Sequence, residues 1–135
     1  MKRALLVLLV ILVLATVAMA QAKATVSPKY LTAAEALAAD DFAKAKTALT
    51  DLAKESQGPL KTKAQAAADA KDVAAMRKAF KDLSEDVSKM EMPAGYGVVF
   101  CPMYAGGGGK WVQKQGTVAN PYFGKTMLTC GSFQK

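Results

Sequence analysis

Val73-Ala-Ala-Met76-Arg-Lys-Ala-Phe80-Lys-Asp-Leu83-Ser-Glu-Asp-Val87-Ser-Lys-Met90 carries its large apolar side chains at steps of 3, 4, 3, 4 and 3. That spacing follows the 3.6-residue turn of an α-helix and lines one face with a continuous seam. Asp69 or Asp72 is positioned to cap its start. Upstream, Ser27-Pro28 combines an N-cap residue with proline at the first helical position, ahead of a stripe of Leu31, Ala34, Leu37 and Ala38. Asp40-Asp41 interrupts that stripe and can cap a second helix, on which Phe42, Ala45, Leu49 and Leu52 recur at threes and fours. Gln57-Gly58-Pro59 reads as its stop. Alanines at 33, 34, 36, 38, 39, 43, 45 and 48, and again at 64, 66, 67, 68 and 70, add helix propensity with little bulk. The expectation is a mainly α protein: a small antiparallel bundle of three or four helices over residues 27–92.

The first twenty residues have a different logic. Met1-Lys2-Arg3 is basic, Ala4 to Val17 is almost unbroken apolar sequence, and Ala18-Met19-Ala20 is a small-residue cleavage site. Residues 1–20 thus read as a secretory signal peptide, with residues 21–135 as one periplasmic domain and no membrane span after cleavage. The alternative is a retained N-terminal anchor, since the apolar run approaches the length of a bilayer span. No cysteine follows the run, which argues against a lipoprotein anchor.

Charge separates the two parts of the mature chain. Without Lys2 and Arg3 the formal net charge falls from +7 to +5. Residues 27–92 are balanced, with eleven basic and eleven acidic side chains. The excess comes from Lys23 and the tail lysines Lys110, Lys114, Lys125 and Lys135. Scattered lysines without arginine are a poor footprint for nucleic acid, so no nucleic-acid role is expected. Lysines around a thiol would favour its thiolate. The chain has no histidine, which removes Ser-His-Asp and Cys-His catalysis and the usual zinc-water site. Cys-x-x-Cys is also missing, and the sequence as a whole is not that of an enzyme.

Met92-Pro93-Ala94-Gly95 ends the helical part. Tyr96 to Cys101 and Trp111 to Gln113 read as short strands around the loop Ala105-Gly-Gly-Gly-Gly109. That glycine run lacks the Ser or Thr after its lysine that a phosphate-cradling loop needs, so it is expected to be a flexible connection. The tail, residues 93–135, is expected to be a short irregular or β region docked on the bundle through Tyr96, Phe100, Trp111, Tyr122 and Phe123. Loss of Trp111 is expected to loosen it without melting the helices.

The two cysteines lie in this tail, each near a methionine: Cys101 with Met103, and Cys130 with Met127. If residues 125–130 were helical, Met127 and Cys130 would share a face. From Pro93 to Lys135 there is no Asp, Glu or His. Thiolate and thioether in the absence of hard donors select a soft ion, Cu(I) or Ag(I), with Cys101, Met103, Met127 and Cys130 as candidate ligands. Two cysteines in an exported domain also commonly form a disulfide. A Cys101–Cys130 bond would contribute on the order of 3–4 kcal/mol by loop-closure entropy. The two states can coexist if the thiols take metal when reduced and lock when oxidised.

Three strings, Phe100-Cys-Pro-Met103, Trp111-Val-Gln-Lys114 and Asn120-Pro-Tyr-Phe-Gly-Lys-Thr-Met-Leu-Thr-Cys-Gly131, resemble a bacterial periplasmic domain family of unassigned molecular function. Tyr30-Leu31, Ala36-Leu37, Asp40-Asp41-Phe42 and Phe80 to Leu83 look like its opening pattern, so the resemblance covers nearly all of residues 21–135. The family occurs alone after a signal peptide, and at the C-terminus of adaptor subunits of copper, silver and cobalt-zinc efflux pumps. The resemblance implies metal resistance at the envelope, with an efflux adaptor or another envelope protein as partner. Cys-Pro-Met also resembles metal-binding segments of such pumps that carry a preceding histidine, where Phe100 stands here. The competing expectation is a protein-interaction module that binds no metal and is pinned by a structural Cys101–Cys130 disulfide.

Overall fold

A computed structural model describes residues 23–135; the expected signal peptide, residues 1–20, lies outside them. Helix α1 (Pro28–Ala38) starts at Ser27, whose Oγ accepts from the Lys29 amide at 3.1 Å. It ends in a left-handed turn at Asp40, with φ of 60°. There the Asp41 amide returns to Ala36 O at 2.8 Å and the Asp40 amide to Leu37 O at 3.2 Å. This pair of bonds satisfies carbonyls that a helix end otherwise leaves open. Asp41 then caps α2 (Phe42–Glu55) through the Lys44 amide at 2.9 Å, so the Asp-Asp pair both closes one helix and opens the next.

Gly58-Pro59 differs from its expected role as a stop. Ser56 closes α2, and the Gly-Pro pair forms the first turn of α3 (Gly58–Ala68). Proline fits there because the first amides of a helix have no intrahelical acceptor. Asp72, rather than Asp69, caps α4 (Val73–Val87), accepting from the Ala75 amide at 2.8 Å. Consecutive helices pack on one another. Buried Ala33, Ala36, Ala45, Ala48, Ala53, Ala64, Ala67 and Ala68 keep those contacts close.

The two strands expected in the tail form, and a third joins them, so the region is more ordered than the short irregular or β segment expected. Strands β1 (Tyr96–Cys101), β2 (Gly109–Lys114) and β3 (Ser132–Phe133) form an antiparallel sheet in the order β2-β1-β3. The register sets Val99 opposite both Trp111 and Phe133, and Cys101 opposite Gly109. Strand β2 rests on α1 and α4. The glycine loop is also not a loose connection. Gly106, Gly107 and Gly108 have φ between 76° and 89°, a region that side-chain-bearing residues avoid. Lys81 of α4 then holds the loop by donating to Ala105 O at 3.0 Å and Gly106 O at 2.7 Å.

One core runs through both parts. Tyr30 stacks on Phe80 with ring centroids 5.1 Å apart; Phe80 meets Tyr122 at 6.1 Å, and Tyr122 meets the edge of Trp111 at 5.8 Å. The fully buried Tyr30 hydroxyl shares a 2.7 Å hydrogen bond with Ser84 and accepts from the Val112 amide at 3.3 Å. Burial raises its pKa far above the ordinary tyrosine value, so it stays neutral. The α4 seam is therefore not separate from the tail aromatics: Phe80 belongs to both. Phe100 departs from its expected docking role, since its ring lies over Gly108, where any side chain would collide with it. Among the described residues no helix is long and apolar enough to cross a membrane.

Candidate functional site

The two cysteines meet at one end of the sheet. Cys101 closes β1 and is fully buried, while Cys130 precedes β3 and is partly exposed. Pairing of Phe100 with Ser132 brings the segment before β3 alongside Cys101. Gly131 makes that approach possible: its φ is 139°, and a Cβ there would come within 2.8 Å of the Trp111 ring and 3.0 Å of Val99. The sulfurs of Cys101 and Cys130 lie 2.7 Å apart.

Asn120 holds Cys130 in place. It is fully buried, and its side-chain oxygen accepts from the amides of Tyr122 at 2.8 Å and Phe123 at 3.2 Å. Its Nδ2 donates to Cys130 O at 2.7 Å, and its own amide donates to Leu128 O at 2.7 Å. Every polar atom of the side chain is thus matched, and the loop from 120 to 130 is closed at its base. Tyr122 turns inward, donating its hydroxyl to Lys110 O and stacking on Tyr104 at 4.4 Å. The Asn-Pro-Tyr-Phe-Gly string closes this loop at Asn120 and meets the bundle through Tyr122, whose ring centroid lies 6.1 Å from that of Phe80.

Its anchor on the helical side is Arg77. The guanidinium donates to Pro121 O at 2.8 Å, to Leu37 O at 2.9 Å and to Asp40 Oδ1 at 2.6 Å. Asp40 Oδ2 accepts from the Lys125 amide at 3.1 Å. Gly124, at φ of 56°, completes the fit, because a Cβ there would overlap the Asp40 carboxylate. Sequence reasoning missed Arg77, Asp40, Lys81 and Tyr104 as anchors. One signal was available: Arg77 is the only arginine after Arg3.

The methionines occupy less committed positions. Met103 is 64% exposed and Met127 37% exposed. Residues 125–130 are not a helix: a 3-10 turn covers Gly124–Thr126, and Met127 to Cys130 is a turn closed by the Cys130 amide on Met127 O at 3.1 Å. Shared helical spacing therefore does not relate Met127 to Cys130, although chain proximity keeps both on the same turn.

The electrostatics also differ from expectation. The Cys130 pKa is raised, first by its hydrogen bond with Cys101 and then by burial, with the Met103 amide opposing. No lysine contributes to that shift, and Lys110 instead faces Glu85 at 3.7 Å. Among the described residues, no group of three or more His, Cys, Asp or Glu side chains is placed to hold a metal ion. Two sulfurs bound to one tetrahedral d10 ion at about 2.3 Å would be roughly 3.8 Å apart. In that arrangement the two sulfurs would stand about 1 Å further apart than they do here.

Compared with protein families, curated proteins and solved structures, the chain shows no match.

Proposed function

We propose that this is an exported, periplasmic soft-metal binding protein, not an enzyme, whose reduced Cys101 and Cys130 take Cu(I) or Ag(I) with help from Met103 and Met127. The observation that supports it best is the meeting of the two sulfurs of Cys101 and Cys130 across 29 positions, with Met103 two residues after the first and Met127 three before the second. Soft thiolate and thioether donors together select a monovalent d10 ion over a hard cation. The family resemblance supplies the context, in which bound metal passes to an efflux adaptor or another envelope protein. Titration of reduced protein with Cu(I) against a competing chelator tests the proposal. Tight one-to-one binding that disappears in a Cys101→Ser/Cys130→Ser variant is expected; binding unchanged in that variant overturns it.

The 2.7 Å sulfur separation favours a second role, a protein-interaction module pinned by a Cys101–Cys130 disulfide. Exposed Met103, Met127 and Leu128 would then belong to a docking face. Mass measured before and after reduction separates the two. Protein recovered from cells fully disulfide-bonded, and unable to bind Cu(I) once reduced, supports the second role and removes the first.

A further inference from the structure

The two sulfurs are in contact yet reach solvent unequally. Cys101 is fully buried at the end of β1, paired to Gly109 on one side and overlain by Cys130 on the other. Cys130 sits on the exposed turn that also presents Met127 and Leu128. A nucleophile from solvent can therefore reach one sulfur of a Cys101–Cys130 disulfide and not the other. Gly131 permits this arrangement, since a Cβ there would meet the Trp111 ring and Val99.

From this we infer that the pair is a thiol–disulfide exchange couple addressed through Cys130, so that an external thiol decides whether the site is locked or open to metal. The inference rests on the Cys101–Cys130 pair being the functional site. In the opening step a thiolate of an external dithiol attacks Cys130 Sγ. The Cys101–Cys130 bond breaks, its electron pair leaves on Cys101 Sγ, and that sulfur takes up a proton. The second thiolate of the external dithiol then attacks its own sulfur in the mixed disulfide and expels Cys130 as thiolate. Two electrons pass to the protein, and the external dithiol becomes a disulfide. The reverse sequence locks the site. Direction follows from access: Cys101 serves only as leaving and resolving sulfur because no external thiol can line up behind it.

Wild-type oxidised protein, briefly mixed with reduced glutathione and quenched in acid, provides the test. Peptide mapping after cleavage at Lys110, Lys114 and Lys125 separates the two cysteines. The glutathione adduct is expected on Cys130 at least tenfold over Cys101, and the preference should vanish when the reaction is run in denaturant. Equal labelling in the folded protein, a preference for Cys101, or failure of the oxidised protein to contain the disulfide overturns the inference. Single variants add a readout from the reduced side. In Cys101→Ser the remaining thiol should react with an aromatic disulfide at least tenfold faster than the remaining thiol in Cys130→Ser, with far-UV circular dichroism confirming that both are folded. Copper titration of fully reduced protein is independent of these outcomes. Metal binding with adducts on Cys101 removes only the exchange route, and Cys130 adducts without metal binding remove only the metal reading.

Discussion

The carboxylate of Asp40 lies 2.6 Å from the guanidinium of Arg77, and Asp40 is the only non-glycine among the described residues with a positive φ. The left-handed backbone turns this side chain away from α1 and towards the tail. Arg77 bridges it to Pro121 O, and the Lys125 amide binds its second oxygen. Aspartate is one of the few residues that tolerates this conformation while also offering a charge. The end of α1, the middle of α4 and the Asn120–Gly124 turn are thereby joined at one point.

That joint predicts a pH dependence. The Arg77 hydrogen bond, followed by the Lys125 amide, lowers the Asp40 pKa. A carboxyl with a lowered native pKa contributes stability above its unfolded value of about 3.9 and loses it as pH falls through the native one. Asp40→Asn keeps a residue that tolerates the left-handed turn and removes the charge. Urea midpoints of the two proteins are expected to differ at neutral pH and to converge as pH falls through the lowered native pKa of Asp40. A gap that persists in acid would mean that shape, and not charge, holds the joint.

Asn120→Ala removes one acceptor shared by two amides and one donor to Cys130 O. Leaving such buried groups unmatched costs about 1–3 kcal/mol each, less whatever water reaches them. The variant is expected to lose about 2–4 kcal/mol in denaturant unfolding and to form the Cys101–Cys130 bond more slowly in air oxidation. Unchanged oxidation kinetics would show that Cys130 is positioned by β3 alone.

Trp111→Ala tests the continuity of the core. Truncating a fully buried aromatic of this size costs about 3–5 kcal/mol. Because Tyr122 joins Trp111 to Phe80, the helices are expected to share the loss, so melting followed by far-UV circular dichroism should shift together with the near-UV signal of the tyrosines. Two separated transitions would restore the picture of a tail that loosens on its own.

Oxidation should stabilise the protein. The bond would span 29 positions, worth about 3–4 kcal/mol by loop-closure entropy. Guanidinium unfolding of oxidised and reduced protein should differ by that order. No difference, or a lower midpoint on oxidation, would show that closing the bond strains the β1–β3 end enough to cancel the gain.

Three of the four helices, their caps and the break at Met92-Pro93 were legible because each depends on residues within one or two turns. Val73, Met76, Phe80, Leu83 and Val87 announce α4 by spacing alone. Gly58-Pro59 misled, because the same dipeptide serves the end of one helix or the start of another, and only the alanine run beyond it distinguishes them. Strand β3 was not legible: two residues, Ser132 and Phe133, become a strand only by pairing with Val99 and Phe100. The soft donor set was readable from composition, but the exposure of Met103 and the burial of Cys101 were not.

What the sequence alone determined is therefore local: the helical half, the strand-prone tail, and the chemistry of its sulfur-rich, acid-free segment. Tertiary structure decided the rest. The Arg77–Asp40 pair spans 37 positions, the Tyr30–Val112 bond 82, and the Lys125 amide reaches Asp40 across 85. No periodicity or capping rule couples residues so far apart. Their meeting depends on how the helices, once formed, bury a shared face and leave room beside it for one sheet. The contact between Cys101 and Cys130 belongs to that second class. It exists because Asn120 and Gly131 let a loop close against Trp111, a fit set by volume and hydrogen-bond matching in three dimensions.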